Sequence, residues 1–153
     1  MIKTILDKIN VCLIALIFGS SIGVLFSVLT NINIAKHNGI AVKVAANNNA
    51  PIFIAYSKML LVLGVLFLLV SLIKRKLQQG IQISLPIILC VIAIFIFSLY
   101  ISPQMDLLRP SLSTSNDAKT MFENLHKISQ IDFGLVIITS LICLIQLPTS
   151  RPS

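Results

Sequence analysis

Four long apolar stretches constrain the fold of this chain more than any other feature. They cover residues 10–30, 52–73, 81–101 and 133–147. A bilayer core about 30 Å thick needs about 20 apolar residues in one helix. The fourth stretch is too short alone, so we expect the residues before it to extend that helix to about 118–147. The sequence predicts an all-α integral membrane protein: one domain over residues 1–153, folded as a four-transmembrane-helix bundle.

The composition agrees with a membrane protein and excludes a nucleic-acid partner. Hydrophobic residues make up 56% of the chain and charged residues only 11%, against about 25% charged residues in an average soluble domain. The net charge is +7, but the basic residues flank apolar stretches instead of clustering on an aromatic-rich polar domain. The predicted partner is therefore the lipid bilayer. Each of the three cysteines lies in an apolar stretch, where a thiol usually serves as a packing residue.

The basic residues also predict an orientation in the membrane. Short cytoplasmic loops of membrane proteins are enriched in Lys and Arg. The short segment between the second and third stretches contains Lys74, Arg75 and Lys76, whereas the loops at about 31–51 and 102–120 are longer and carry scattered bases. We expect a multi-pass protein of the inner membrane, with both termini and the KRK segment cytoplasmic. Pro103 is expected to stop the third helix at its outer end.

Small residues in the first stretch predict a helix-packing surface. Gly19, Gly23 and Ser27 are spaced four apart, so they lie on one face where another backbone can approach closely. The partner is either another helix of this chain or a second copy. Gly64 in the second stretch is a candidate for the facing groove.

A polar segment leads into the fourth apolar stretch, in the sequence MFENLHKISQID at 121–132. Helical spacing places Glu123, Lys127 and Gln130 on a solvated face. His126, Ser129 and Asp132 are spaced three apart and form a slanted ridge at the outer mouth of the predicted bundle. The candidate partners of Asp132 are Lys58, Arg109, Tyr56 and Tyr100. The ridge either ties the long loop to the helices or forms a binding or proton-handling site.

Metal binding is a weaker hypothesis, and enzymatic activity is not expected. His126 and His37 fall on the same predicted side, and Met105 or Met121 would complete a thioether and imidazole set for copper. No tight ligand spacing supports a metal or haem, so no cofactor is predicted. The sequence contains no nucleophile elbow, phosphate-binding loop, zinc-protease motif or paired carboxylates.

The second half of the chain resembles the bacterial transmembrane protein 205-like family, a four-helix membrane domain of unknown function. The motifs are SLYISPQM after the third stretch and FENLHKISQID entering the fourth. The family's pattern F-x-x-L-H-x-x-S-x-x-N matches Phe122, Leu125, His126 and Ser129, with Asp132 in place of the closing Asn. The resemblance covers about residues 54–147, and it implies a four-helix membrane fold without an agreed biochemical activity.

Two functions remain open from the sequence. The first is a structural or accessory role in a membrane assembly, as a homo-oligomer or within a larger complex, through the Gly19 and Gly23 face. The second is a small transporter or copper-handling protein that uses the polar site at the outer mouth.

Overall fold

In the computed structural model, residues 2–40, 44, 48–77 and 84–146 are described, and they form a helical bundle. The main helices are α1 (Ile2–His37), α2 (Ala50–Leu77), α3 (Leu85–Ile96), α4 (Ser102–Leu108) and α5 (Asn116–Gln146). A π-helical turn, Phe97–Ile101, joins α3 to α4, and a 3-10 turn, Arg109–Ser111, follows α4. Four helical units are long and apolar enough to cross a membrane, with α3, its π turn and α4 counting as one. The prediction of an all-α fold with four helices long and apolar enough to span a membrane is confirmed, and such helices indicate a multi-pass membrane protein.

The ends of the helices differ from the predicted stretches in physically simple ways. The first and second helices are longer than 10–30 and 52–73 because their polar flanks continue the same helix. The predicted start of the third helix at 81 and the end of the fourth at 147 lie outside the described residues, as does Arg151. Gly39, with a φ of 67°, ends α1 in the left-handed conformation that glycine adopts freely.

The polar segment before the fourth stretch is part of the membrane helix, as predicted. A single helix runs from Asn116 to Gln146. The hydroxyl of Ser115 accepts a hydrogen bond from the Ala118 backbone N–H at 3.2 Å, so Ser115 caps the start of α5.

Pro103 does not stop the third helix, and this prediction was wrong. The helical path continues through α4 to Leu108 and then into the 3-10 turn. Proline removes one backbone donor and pushes against the carbonyl four residues earlier. The π turn at 97–101 directly precedes α4, and the wider turn accommodates the ring while Pro103 occupies the first turn of α4, where its missing N–H has little effect.

The helices form a closed ring in which sequence neighbours run antiparallel. α2 packs between α1 and α3, and α5 packs between α3 and α1. We call the end with Lys74–Lys76 the KRK end, and the end with His37, Ala50 and residues 109–116 the long-loop end. Four antiparallel helical units bring the chain back to the end where it started. Ile2, the first described residue, and Gln146, the last residue of α5, therefore both lie at the KRK end.

A seam of alternating three- and four-residue spacing joins α1 to α2. Asn10, Ile14, Ile17 and Ser21 are buried along α1. On α2 the buried residues Ser57, Leu60, Gly64, Phe67 and Ser71 follow the same spacing, although Ser57 and Gly64 contact Ser102 and Ile94 of the other neighbouring helical unit. This spacing is that of two helices packed with a left-handed twist. The seam defines which faces of both helices point inward.

Gly64 allows α3 to approach α2 closely. A Cβ atom at Gly64 would lie 2.6 Å from Cγ2 of Ile94. The groove at Gly64 is therefore filled by α3, and it is not available to the small residues of α1.

Candidate functional site

The predicted ridge of three residues on α5 is divided between the surface and the core. His126 is exposed, its ring is stacked on Phe122, and its Nε2 lies 3.2 Å from Nε2 of Gln130. The Ser129 hydroxyl donates to the His126 carbonyl oxygen at 2.7 Å, which ties it to its own helix. Asp132 is 8% exposed and points into the bundle. His126 and Asp132 therefore do not form one site.

Asp132 is the one charged residue that is buried in the described part of the chain. Its Oδ2 atom is buried and has no hydrogen-bond partner among residues 2–40, 44, 48–77 and 84–146. The predicted partners Lys58 and Arg109 make no ion pair with it in this part of the chain. A carboxylate held in a low-dielectric interior without a partner is costly, so Asp132 is the most unusual polar group of the bundle.

Ser98 lies at the same level as Asp132. The rings of Phe97 and Phe133 are 5.9 Å apart. Ser98 follows Phe97 toward the long-loop end, and Asp132 precedes Phe133 toward the same end. The Ser98 hydroxyl is also buried without a hydrogen-bond partner among the described residues. Two neighbouring helices thus each place an unsatisfied oxygen at this level.

Tyr56 is buried in the centre of the long-loop half and does not serve Asp132. Its hydroxyl lies 2.5 Å from the Ser21 hydroxyl, which in turn donates to the Ile17 carbonyl oxygen. Its ring packs against Phe97 and Phe133 at 6.4 and 5.8 Å. Tyr56 therefore joins α1, α2, the π turn and α5. Tyr100, the other candidate partner, is exposed.

A second hydroxyl pair joins α2 to the start of α4. Ser102 donates to Ser57 at 3.0 Å, and both side chains are buried. The π turn before α4 sets the rotation of Ser102 toward α2. Interhelical hydroxyl bonds of this kind support membrane helix packing, where close packing and polar contacts replace hydrophobic attraction.

Lys58 and Arg109 instead line an open groove of about 470 Å³ at the long-loop end. The groove also contains Asp106, whose Oδ1 lies 3.9 Å from Nε of Arg109. The Arg109 guanidinium lies over the Phe122 ring, 5.7 Å from its centroid. We call this feature the Lys58–Arg109 groove.

The small-residue face of α1 lies on the outside of the bundle. Gly19, Gly23 and Ser27 are exposed, and a Cβ atom at either glycine would have no neighbour within 4 Å. The Ser27 hydroxyl donates to the Gly23 carbonyl oxygen at 2.9 Å, so it presents no free donor. The described helices of this chain therefore do not use this face for packing.

The described residues provide no three-ligand metal cluster. No group of three or more His, Cys, Asp or Glu side chains comes together in the described ranges. His37, at the end of α1, and His126 are both exposed. Cys90 and Cys143 are buried free thiols, whereas Cys12 is exposed.

The sequence interpretation missed the polar pairs between α1 and α2. Asp7 forms a 2.6 Å ion pair with Lys74, and Ser71 lies 3.4 Å from Asn10. At the other end, Asn31 donates to Asn49 at 2.8 Å. The three- and four-residue spacing of Asp7, Asn10, Ile14 and Ile17 was the available signal, since the polar residues continue the apolar seam.

We compared the chain with known protein families, curated proteins and solved structures. No protein-family model, no curated protein and no solved structure matches it. The resemblance to the transmembrane protein 205-like family therefore stays a prediction from the motifs at 98–105 and 122–132.

Proposed function

We propose that this chain is a small multi-pass protein of the inner membrane, without enzymatic activity of its own, that has a structural or accessory role in a membrane assembly. The observation that carries the proposal is the outward position of Gly19, Gly23 and Ser27, with open space above both glycines. A face without side-chain bulk lets a second transmembrane helix approach at backbone distance.

A second observation on α1 supports the proposal. The apolar stretch of α1 is only 22% buried within the bundle, against 28%, 44% and 33% for the other three membrane units. α1 is thus the helix with the most surface left for a neighbour. The proposed occupant is α1 of a second copy, because the same small-residue face on two copies is self-complementary.

The proposed orientation has both termini and the KRK segment in the cytoplasm. Lys74 is bound to Asp7, whereas Arg75 and Lys76 are exposed at the same end. Neither Arg75 nor Lys76 forms an ion pair within the described part of the chain, and basic residues next to the membrane surface are typical of a cytoplasmic boundary.

The test of the assembly proposal is self-association of the full chain in bilayers, followed by cross-linking or by energy transfer between labelled copies. We expect Gly19→Leu and Gly23→Leu to abolish association, because the added side chains separate the backbones. Gly134→Leu is the matched control: Gly134 lies on α5 and also has open space around it.

Association that survives both α1 variants would overturn the proposed contact. Co-purification in mild detergent adds a second readout. The native chain could recover a different membrane protein that the Gly23→Leu variant does not recover. In that case the partner on the small-residue face of α1 would be that protein and not a second copy of the chain.

A second candidate function, transport of protons or a small cation, is favoured by one specific observation. Asp132 and Ser98 place unsatisfied buried oxygens at one level of the bundle. A proton or a cation coordinated by oxygen would supply the missing partner, and intramembrane carboxylates often mark such pathways. The copper version gains no support from a cluster of His, Cys, Asp or Glu, because no three such side chains come together among the described residues.

Ion flux into liposomes that contain the purified protein tests this candidate. Asp132→Asn should remove a proton or sodium flux that the native protein catalyses, whereas Asp117→Asn, an exposed acid on the same helix, should leave it unchanged. An equal flux in the Asp132→Asn variant, or no flux from the native protein, would exclude the candidate.

A further inference from the structure

The Lys58–Arg109 groove combines charge with an apolar wall at the long-loop end. Pro51, Ile54 and Ala55 of α2 form the wall, and Lys58, Asp106 and Arg109 provide the charges. Two cations and one carboxylate leave a net charge of about +1 in the groove at neutral pH. An anion with an apolar body is the chemistry that such a groove complements.

Arg109 is held in position before any ligand arrives. Asp106 lies at one edge of the guanidinium and the Phe122 ring covers one face. Its Nε is buried without a hydrogen-bond partner in the described part of the chain, because 3.9 Å to Asp106 is too long for a hydrogen bond. The side chain as a whole remains 27% exposed, so its outer N–H groups can donate to a phosphate in the groove.

Lys58 lies on the outer face of α2 without an acidic partner among the described residues. Its side chain is exposed, and the described acids that form ion pairs bind Lys74 and Arg109 instead. A cation that faces lipid tails must reach the headgroup layer or bind an anion there.

The length of α2 places Lys58 near that layer. Sixteen residues separate it from Lys74, which corresponds to about 24 Å along the helix axis. The hydrocarbon core is about 30 Å thick. When Lys74 lies at one boundary, Lys58 lies about 6 Å inside the other, within reach of the phosphates for an extended side chain. The turns of α2 before Lys58, which carry the apolar wall, then cross the headgroup region.

We propose that the Lys58–Arg109 groove binds the phosphate group of an anionic phospholipid. Arg109 and Lys58 donate to the phosphate oxygens, and the glycerol and ester region of the lipid, which lies at the same depth, covers Pro51, Ile54 and Ala55. Asp106 holds Arg109 and weakens the binding of any anion, so the contact of an apolar body with the wall is what favours a lipid over free phosphate. The site is independent of the α1 contact, so either proposal stands if the other fails.

Native mass spectrometry of the full chain in mild detergent tests this assignment. The probes are phosphatidylglycerol, phosphatidylcholine and inorganic phosphate. We expect retention of phosphatidylglycerol, weak retention of phosphatidylcholine and no retention of inorganic phosphate. Lys58→Gln and Arg109→Gln should each weaken phosphatidylglycerol binding about tenfold, the effect of losing one charge-assisted hydrogen bond.

Lys127→Gln is the matched control, because Lys127 is an exposed cation on α5 that does not line the groove. An equal loss in this variant would show general surface attraction and overturn the site. Equal retention of both lipids, or of inorganic phosphate, would overturn the ligand assignment. Lys58→Gln keeps the test valid if Arg109→Gln fails to fold, since Lys58 makes no ion pair within the described chain.

Discussion

The two halves of the bundle differ in how an acidic residue of a membrane helix is placed. At the KRK end, the one acid on α1 is paired with a lysine of α2, Asp7 with Lys74 at 2.6 Å, and Asn10 lies beside Ser71 one turn further in. At the long-loop end, Asp132 is buried without a partner among the described residues, while Lys58 and Arg109 face an open groove. The acid of α1 at the KRK end therefore has a basic partner, whereas the buried acid of α5 toward the long-loop end has none among the described residues.

This difference separates architecture from candidate function. The paired groups at the KRK end, Asp7 with Lys74 and Asn10 with Ser71, fix the register of α1 against α2. Unpaired groups at the long-loop end lower stability, because each unsatisfied buried group costs about 1–3 kcal/mol. A cost of that size in a small bundle is expected where a ligand, lipid or ion completes the site.

The largest expected effect is the loss of packing in the KRK half. Phe67 of α2 is fully buried in the core of the bundle. Phe67→Ala should therefore lower the free energy of unfolding by about 3–5 kcal/mol. Phe26→Ala is the matched control, since Phe26 is 67% exposed on the lipid-facing side of α1. Thermal unfolding in mild detergent measures both, and similar midpoints for the two variants would show that the KRK half is not a packed core.

Next in size is a pair of substitutions that should act with opposite signs. Asp7→Asn removes the partner of Lys74, whose side chain is only 15% exposed, and should destabilise the protein by about 1–3 kcal/mol. Asp132→Asn replaces an unpaired buried carboxylate with a neutral group, and should raise stability by a similar amount, about 1–3 kcal/mol.

Both variants are measured at neutral pH in the same detergent, with Asp117→Asn as the exposed control. A destabilised Asp132→Asn variant would mean that this carboxylate has a stabilising partner. The contrast between the two ends would then disappear.

Much of the fold follows from the sequence because it depends on length and hydropathy. Stretches such as 52–73 are long enough to cross a bilayer, and the amphipathic start of α5 follows from helical spacing. The continuation past Pro103 did not follow, since the π turn that accommodates the proline depends on packing against α2 and α5. From the sequence alone, a proline predicts the end of a helix. The helix continues only where tertiary contacts stabilise a wider turn before the proline.

The sequence identified which residues belong to the candidate site, but not how they are arranged. The ionisable residues at the long-loop end stood out in the sequence, and His126, Asp132, Lys58 and Arg109 all lie there. Their grouping could not be predicted, because a rotation of α5 by one residue decides whether a side chain faces the core or the surface. Asp132 follows Leu125 by seven residues and shares its buried face, whereas His126 is turned away from it.

The smallest expected effect on stability concerns Tyr56, a polar residue of the long-loop half whose hydroxyl has a hydrogen-bond partner. Tyr56→Phe keeps the ring contacts with Phe97 and Phe133 and removes the bond to Ser21. We expect a loss of about 1 kcal/mol in the free energy of unfolding. Tyr100→Phe, at an exposed position, should change it by less than about 0.5 kcal/mol. Unfolding midpoints in mild detergent distinguish the two variants. An equal effect at both positions would mean that the hydrogen bond between Tyr56 and Ser21 contributes nothing to holding α1 against α2.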